Sequence, residues 1–131
     1  MGRSRVFDVV IVGAGPAGIF CALEIIENKP HLKILILEKG NSLSKRVCPS
    51  KKNTISCLKC SPCAITAGWG GAGAFSDGKL NLGLQMVGWL PKYIDQKTYE
   101  HFLEKTDKTW LKFGAPQNLY GVNSSVKNIE K

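Results

Sequence analysis

The sequence predicts an α/β fold of the doubly wound class on three observations: an apolar, β-branched run from Phe7 to Val12, helical spacing from Pro16 to about Glu27, and a second apolar run from Lys33 to Glu38. Strand, helix and strand follow one another over short connections, the unit that a right-handed crossover joins into a parallel sheet. A single such unit lacks its usual neighbouring strands, so the sheet is expected to be incomplete, with exposed edges.

The first run, bounded by Asp8 and Gly13, reads as a strand buried on both faces. In the helix, Ile19, Leu23 and Ile26 recur on one face, Pro16 suits a first turn, and Asn28-Lys29-Pro30 ends the segment. The second strand, KILILE, closes on a carboxylate. Residues 41–66 then form an irregular, basic, cysteine-containing insertion interrupted by Pro49 and Pro62. Residues 67–83, AGWGGAGAFSDGKLNLG, have a glycine density suited to backbone lying against a ligand or other backbone. From Asp95 to Phe113 an amphipathic helix is expected, with Tyr99, Leu103, Thr106, Trp110 and Phe113 on one face and Gly114-Ala115-Pro116 as its stop.

At 131 residues the chain reads as one domain-sized portion. Its 44% hydrophobic and 21% charged content is that of a folded, soluble chain. The apolar runs are too short to span a bilayer and no signal-peptide core follows Met1, so a cytoplasmic protein with no membrane partner is expected. There thiols stay reduced, and the five cysteines are not read as a disulfide framework. The net charge of +8 speaks to solubility and association and does not by itself imply nucleic acid, which is not expected as a partner. Between Glu38 and Asp77 no residue is acidic, while Lys39, Lys45, Arg46, Lys51, Lys52 and Lys59 lie there. That segment suits a bound diphosphate or is a solvated basic loop.

Gly13-Ala14-Gly15-Pro16-Ala17-Gly18 is a G-x-G-x-x-G that leaves a predicted strand and opens a predicted helix, the context the pattern needs. Gly13 permits the tight turn, Gly15 keeps side chains away from a pyrophosphate, and Gly18 lets the helix pack on the strands. The helix N-terminus offers unpaired N–H groups to the phosphates. Glu38, twenty residues beyond Gly18, stands where a carboxylate accepts hydrogen bonds from a ribose and repels a 2′-phosphate. The motif alone does not separate FAD from NAD.

DVVIVGAGPAG followed by ILILEKG resembles the start of the Rossmann-like dinucleotide fold of glutathione-reductase-like flavoproteins. The block from Gly68 through Gly70-Gly71-Ala72-Gly73-Ala74-Phe75-Ser76-Asp77-Gly78-Lys79-Leu80, preceded by Cys48-Pro49 and Cys57, Cys60 and Cys63, resembles more closely a family of uncharacterised bacterial FAD-dependent dehydrogenases. Trp110 to Pro116 adds to the likeness. The resemblance implies FAD as cofactor, with Gly13, Gly15, Pro16, Ala17 and Gly18 at the pyrophosphate, Glu38 at the adenosine ribose, and Lys39 and Arg46 supplying positive charge to the diphosphate. It further implies that Gly70, Gly71, Ala72, Gly73, Phe75, Ser76, Asp77 and Lys79 lie against the isoalloxazine ring or ribityl chain. Members of that family run longer, so the chain is expected to be an N-terminal portion whose catalytic and substrate-binding segments follow it. An unidentified electron donor or acceptor is its expected partner.

Cys48, Cys57, Cys60 and Cys63 supply enough thiolates for zinc or an iron–sulfur cluster. Free thiols or a thiol/disulfide pair near the flavin are the other readings. Cys21 reads as a small buried residue, and neither His31 nor His101 has a partner that would make it a general base. No catalytic residue is assigned. The expected activity is hydride or electron transfer through FAD in the parent oxidoreductase, against an NAD-binding Rossmann domain or a non-catalytic four-cysteine metal module.

Overall fold

The structure is a computed structural model of the chain, describing residues 5–76, 80–83 and 88–118. Asp77 and Lys79 lie outside the described residues. The chain divides into two compact units, Met1–Lys79 and Leu80–Lys131.

The first unit opens with strand β1 (Val9–Val12), helix α1 (Pro16–Asn28) and strand β2 (Ile34–Leu37). The two strands pair in parallel, with Val9 opposite Ile34 and Val12 opposite Leu37. Backbone and side-chain bonds fix this register at both ends. At the start, Lys33 N–H donates to Asp8 Oδ2 at 2.7 Å while Asp8 N–H donates to Lys33 carbonyl at 2.9 Å. At the finish, Gly13 N–H donates to Leu37 carbonyl at 2.7 Å. A one-residue slip would break all three bonds and turn each strand's side chains to the opposite face.

Helix α1 packs on both strands. Val9 and Ile11 are half-buried while Val10 and Val12 stand exposed, Val12 at 84%. A side-chain carbon at Gly18 would fall 3.3 Å from Ile11 Cγ2, so Ile11 lies on the helix side. The expectation of a strand buried on both faces is corrected here. An apolar run specifies which residues can be buried but not how many layers cover them; among the described residues of this unit, α1 packs on one face of the two-stranded sheet. Cys21 is exposed on α1, not buried as its flanking residues implied.

Beyond β2 a 3-10 turn (Leu43–Lys45) and a short helix α2 (Pro49–Asn53) punctuate the expected irregular insertion, and a second 3-10 turn spans Gly71–Phe75. Buried apolar side chains are few among the described residues: Ala14 at 0% and Ala22 at 6% exposure. Hydrogen bonds between segments therefore carry much of this unit's order.

In the second unit, a 3-10 turn (Leu90–Lys92) precedes helix α3 (Gln96–Lys112). Asp95 caps it: Oδ1 accepts from Thr98 N–H at 2.9 Å and Oδ2 from Thr98 hydroxyl at 2.6 Å. These bonds, the hydroxyl's first, hold the Asp95 carboxyl below its ordinary range. The helix ends as the sequence predicted. Gly114 takes φ of +97°, its N–H donates to Leu111 carbonyl, and Ala115 N–H donates to Trp110 carbonyl, a Schellman closure. Tyr99, Leu103 and Thr106 are half-buried, whereas Trp110 and Phe113 are exposed. No helix among the described residues is long and apolar enough to cross a membrane.

A side-chain carbon at Gly18 would press into the Gly13 carbonyl oxygen, a backbone atom that cannot swing aside. Gly18→Ala is therefore expected to lower the urea midpoint, by about 1–3 kcal/mol of overpacking, even though alanine favours helix by about 1 kcal/mol. Equal or higher stability of this variant would show that α1 does not approach β1 as described.

Candidate nucleotide-binding site

The turn between β1 and α1 is built by two glycines and one buried alanine. Gly13 takes φ of +104°, a left-handed conformation that side chains resist, and turns the chain out of the sheet. Ala14 is fully buried and bonded on both sides: its N–H donates to Glu38 Oε2 at 2.7 Å and its carbonyl accepts from Gly70 N–H at 2.8 Å. Gly15 is the N-cap of α1, and a side-chain carbon placed on it meets nothing within 4 Å. The turn is thus open at the position where a phosphate needs room. Pro16, the first helical residue, carries no N–H, and Ala17 is exposed beside it.

Glu38 follows β2 and reaches back to this turn. Its Oε2 accepts from Ala14, and its Oε1 accepts from Gly40 N–H at 2.9 Å and Gly68 N–H at 3.0 Å. These bonds, Ala14's first, then Gly40's and Gly68's, with the nearby Lys39 charge, outweigh desolvation and hold the carboxyl below its ordinary range. Of the four lone-pair positions of a carboxylate, one on Oε2 is left among the described residues. That is room for one further donor.

The second glycine block lies directly behind the turn. Gly68 N–H bonds Glu38, Trp69 N–H donates to Asn41 carbonyl at 3.1 Å, and Gly70 N–H bonds Ala14. A side-chain carbon at Gly71 would stand 3.1 Å from Gly15 Cα, and one at Gly73 3.9 Å from Pro16 Cγ. The structure therefore brings Gly70 against Ala14, Gly71 against Gly15 and Pro16, and Gly73 against Pro16. Ala72, Phe75 and Ser76 are exposed on the same turn.

Arg46 faces inward. Its side chain is buried, and it donates to the carbonyls of Ala64, Ile65, Trp69 and Gly71 at 2.6 to 2.9 Å, with Phe75's ring centroid 4.7 Å from its central carbon. Four of its five N–H donors are committed to backbone.

Gly40 escaped the sequence reading. A side-chain carbon there would crowd Gly68 and come 2.6 Å from the Ala67 carbonyl carbon. The signal was present in Glu38-Lys39-Gly40: a glycine two residues past the carboxylate, where another chain segment must pass.

The metal reading of the cysteines gains no support. Among the described residues no group of three or more His, Cys, Asp or Glu side chains stands close enough to hold an ion. Each cysteine has its own setting. Cys48 precedes α2, Cys57 sulfur accepts from Lys59 N–H at 3.5 Å, Cys60 is exposed, and all are free thiols. Cys63 is held below its ordinary thiol range by the N–H groups of Ile65 and then Thr66, the Thr66 hydroxyl, and the Arg46 charge.

Residues 3–45 match the model of the Thi4 family, a third of the chain that includes β1, α1, β2 and Glu38. The chain is 48% identical over 46 residues to a "Probable electron transfer flavoprotein-ubiquinone oxidoreductase" of Acinetobacter baylyi, covering 31% of this chain and 8% of the relative. It is 41% identical over 71 residues to an uncharacterised protein of Clostridium beijerinckii, covering 54% and 13%. It is 36% identical over 52 residues to the mitochondrial L-2-hydroxyglutarate dehydrogenase of Dictyostelium discoideum, covering 40% and 12%. The matches thus span about a tenth of these relatives' length. No solved structure matches. With its parallel strand, helix, strand unit, the chain is consistent with the start of a Rossmann-like fold.

The lowered Glu38 carboxyl sets a pH dependence. A depressed folded-state value means that the carboxylate's contribution is complete above the ordinary 4.5 and is lost as pH falls through the lower folded value. The amide-proton shifts of Ala14, Gly40 and Gly68 are expected to titrate together with one midpoint below 4.5. Separate midpoints, or one at or above the ordinary value, would contradict the three-way bond.

Proposed function

We propose that this chain is the nucleotide-binding beginning of a flavin-dependent oxidoreductase, and that the dinucleotide it holds is FAD. One observation carries the reading: the turn at Gly15 is open, and beside it Glu38 keeps a single acceptor position on the oxygen bonded to Ala14. The residues present fit the group. The pyrophosphate would lie over Gly13, Gly15, Ala17 and Gly18, where the first-turn N–H groups and the helix dipole favour an anion. Glu38 would take one hydroxyl of the adenosine ribose and exclude a phosphate at that position by charge. Lys39 would add positive charge beside the sugar. Gly70 to Ser76 would face the flavin half, with Asp77 and Lys79 following it in the chain.

Bound FAD would supply the chemistry of hydride or electron transfer. What this chain's own residues contribute is placement. Gly15 admits the phosphates, Glu38 orients the sugar, and the Gly68–Phe75 segment backs the turn. The reading is supported by the relatives whose names state a flavoprotein oxidoreductase and a dehydrogenase. An electron donor or acceptor is its partner, and the cytoplasm is its compartment.

Equilibrium dialysis of the 131-residue chain against FAD, NAD and ADP tests this. Tightest retention of FAD, with ADP next, is expected. Gly15→Ala should leave the urea midpoint unchanged, since its added carbon meets no protein atom, yet weaken FAD at least about tenfold. Retention of NAD over FAD, or full FAD affinity in Gly15→Ala, would refute the assignment.

A further inference from the structure

We propose that Arg46 is a positioning residue for the nucleotide turn, holding residues 64–71 in the conformation that backs the turn without itself touching the diphosphate. The inference rests on the nucleotide-binding reading above and assigns how its second glycine block is kept in place.

Arg46 is 4% exposed, and its guanidinium spreads its fork across two stretches of chain. Nε–H donates to Ala64 carbonyl at 2.9 Å and Nη2–H to Ile65 carbonyl at 2.6 Å, while the two Nη1 protons reach Trp69 carbonyl at 2.7 Å and Gly71 carbonyl at 2.8 Å. Phe75 lies across the group. No carboxylate is among these partners, so among the described residues the cation is met by four carbonyl dipoles and the Phe75 ring. Leaving such a buried charge unpaired is costly, and the loop and the guanidinium therefore fold around one another. The fit is close: a side-chain carbon at Gly68 would come 2.6 Å from Arg46 Cδ. A lysine offers the same charge but not the planar fork that satisfies four carbonyls at once.

The pinned loop turns its N–H groups the other way. Gly68 donates to Glu38, Trp69 to Asn41 carbonyl and Gly70 to Ala14 carbonyl. Arg46 thus acts on the turn through Gly68 to Gly71, the loop touching both Glu38 and Gly15.

The test uses ADP as probe and the whole chain as wild type, Arg46→Lys and Arg46→Met, with affinity measured at low and high salt and amide exchange followed site by site. A positioning role predicts that Arg46→Lys weakens ADP at least about tenfold despite keeping its charge. It also predicts that the salt dependence of binding matches wild type in both variants. Faster exchange should be confined to Gly68, Trp69 and Gly70, with the β1 and β2 amides unchanged. Wild-type affinity in Arg46→Lys overturns the proposal, as does a flattened salt dependence in Arg46→Met with unchanged loop exchange, the mark of a direct phosphate contact. Should Arg46→Lys not fold, Phe75→Leu decides: several-fold weaker ADP and faster exchange at the same three amides are expected, and unchanged values overturn it. A wild type that binds no ADP overturns the reading of the turn and this inference with it, whereas a wild type that binds while Arg46→Lys is unaffected overturns the inference alone.

Discussion

Three backbone N–H groups converging on one carboxylate hold the site together. Ala14, Gly40 and Gly68 are far apart in sequence, and Glu38 joins them, tying the turn after β1 to the exit of β2 and to the second glycine block. Charge-assisted bonds of this kind are shorter and stronger than neutral ones, and here they act between segments that share little buried apolar surface. The same carboxylate keeps one acceptor position for a ligand. Under the proposed function, structure and recognition would use the same two oxygens.

Arg46 is the counterpart of opposite sign. Glu38 gathers N–H groups and Arg46 gathers carbonyls, and the loop from Ala64 to Gly71 supplies partners to both. Few large side chains are buried among the described residues of the first unit, and a network of peptide dipoles around two ions takes over part of the ordering that a larger core would provide. Such a network leaves the exposed face of β1, with Val10 and Val12, and much of the glycine block without large packing partners. It also explains why small residues recur. Gly40, Gly68 and Gly71 stand where one backbone passes against another: a methyl group added at Gly40 or Gly68 would collide with main chain or with Arg46, and one at Gly71 would crowd Gly15.

Much of this was legible in the sequence. The strand, helix, strand unit was readable because apolar runs and helical spacing are local patterns, and the observed bounds differ from the expected ones by one or two residues at the ends. Gly13, Gly15, Gly18 and Glu38 could be placed because strand and helix geometry fixes their spacing. Gly114 marked the end of α3 for the same reason. What the sequence hid depends on tertiary arrangement. Four cysteines within sixteen residues offer enough sulfur for a metal, but the turns of the loop give each a separate setting. The partners of Arg46 are backbone carbonyls, which look alike at every position, so nothing in the residue letters marks which ones it meets. Burial of β1 on one face only follows from how many layers surround it, a property of the assembled fold.

Whether the open turn receives a diphosphate is the point on which the functional account stands. Titrating isotopically labelled chain with FAD while recording amide resonances addresses it directly. The account predicts that the Gly15, Ala17 and Gly18 amides shift together in one saturable process, with Glu38's neighbours Ala14 and Gly40 responding in step. Shifts that begin elsewhere and leave Gly15, Ala17 and Gly18 unmoved would contradict it.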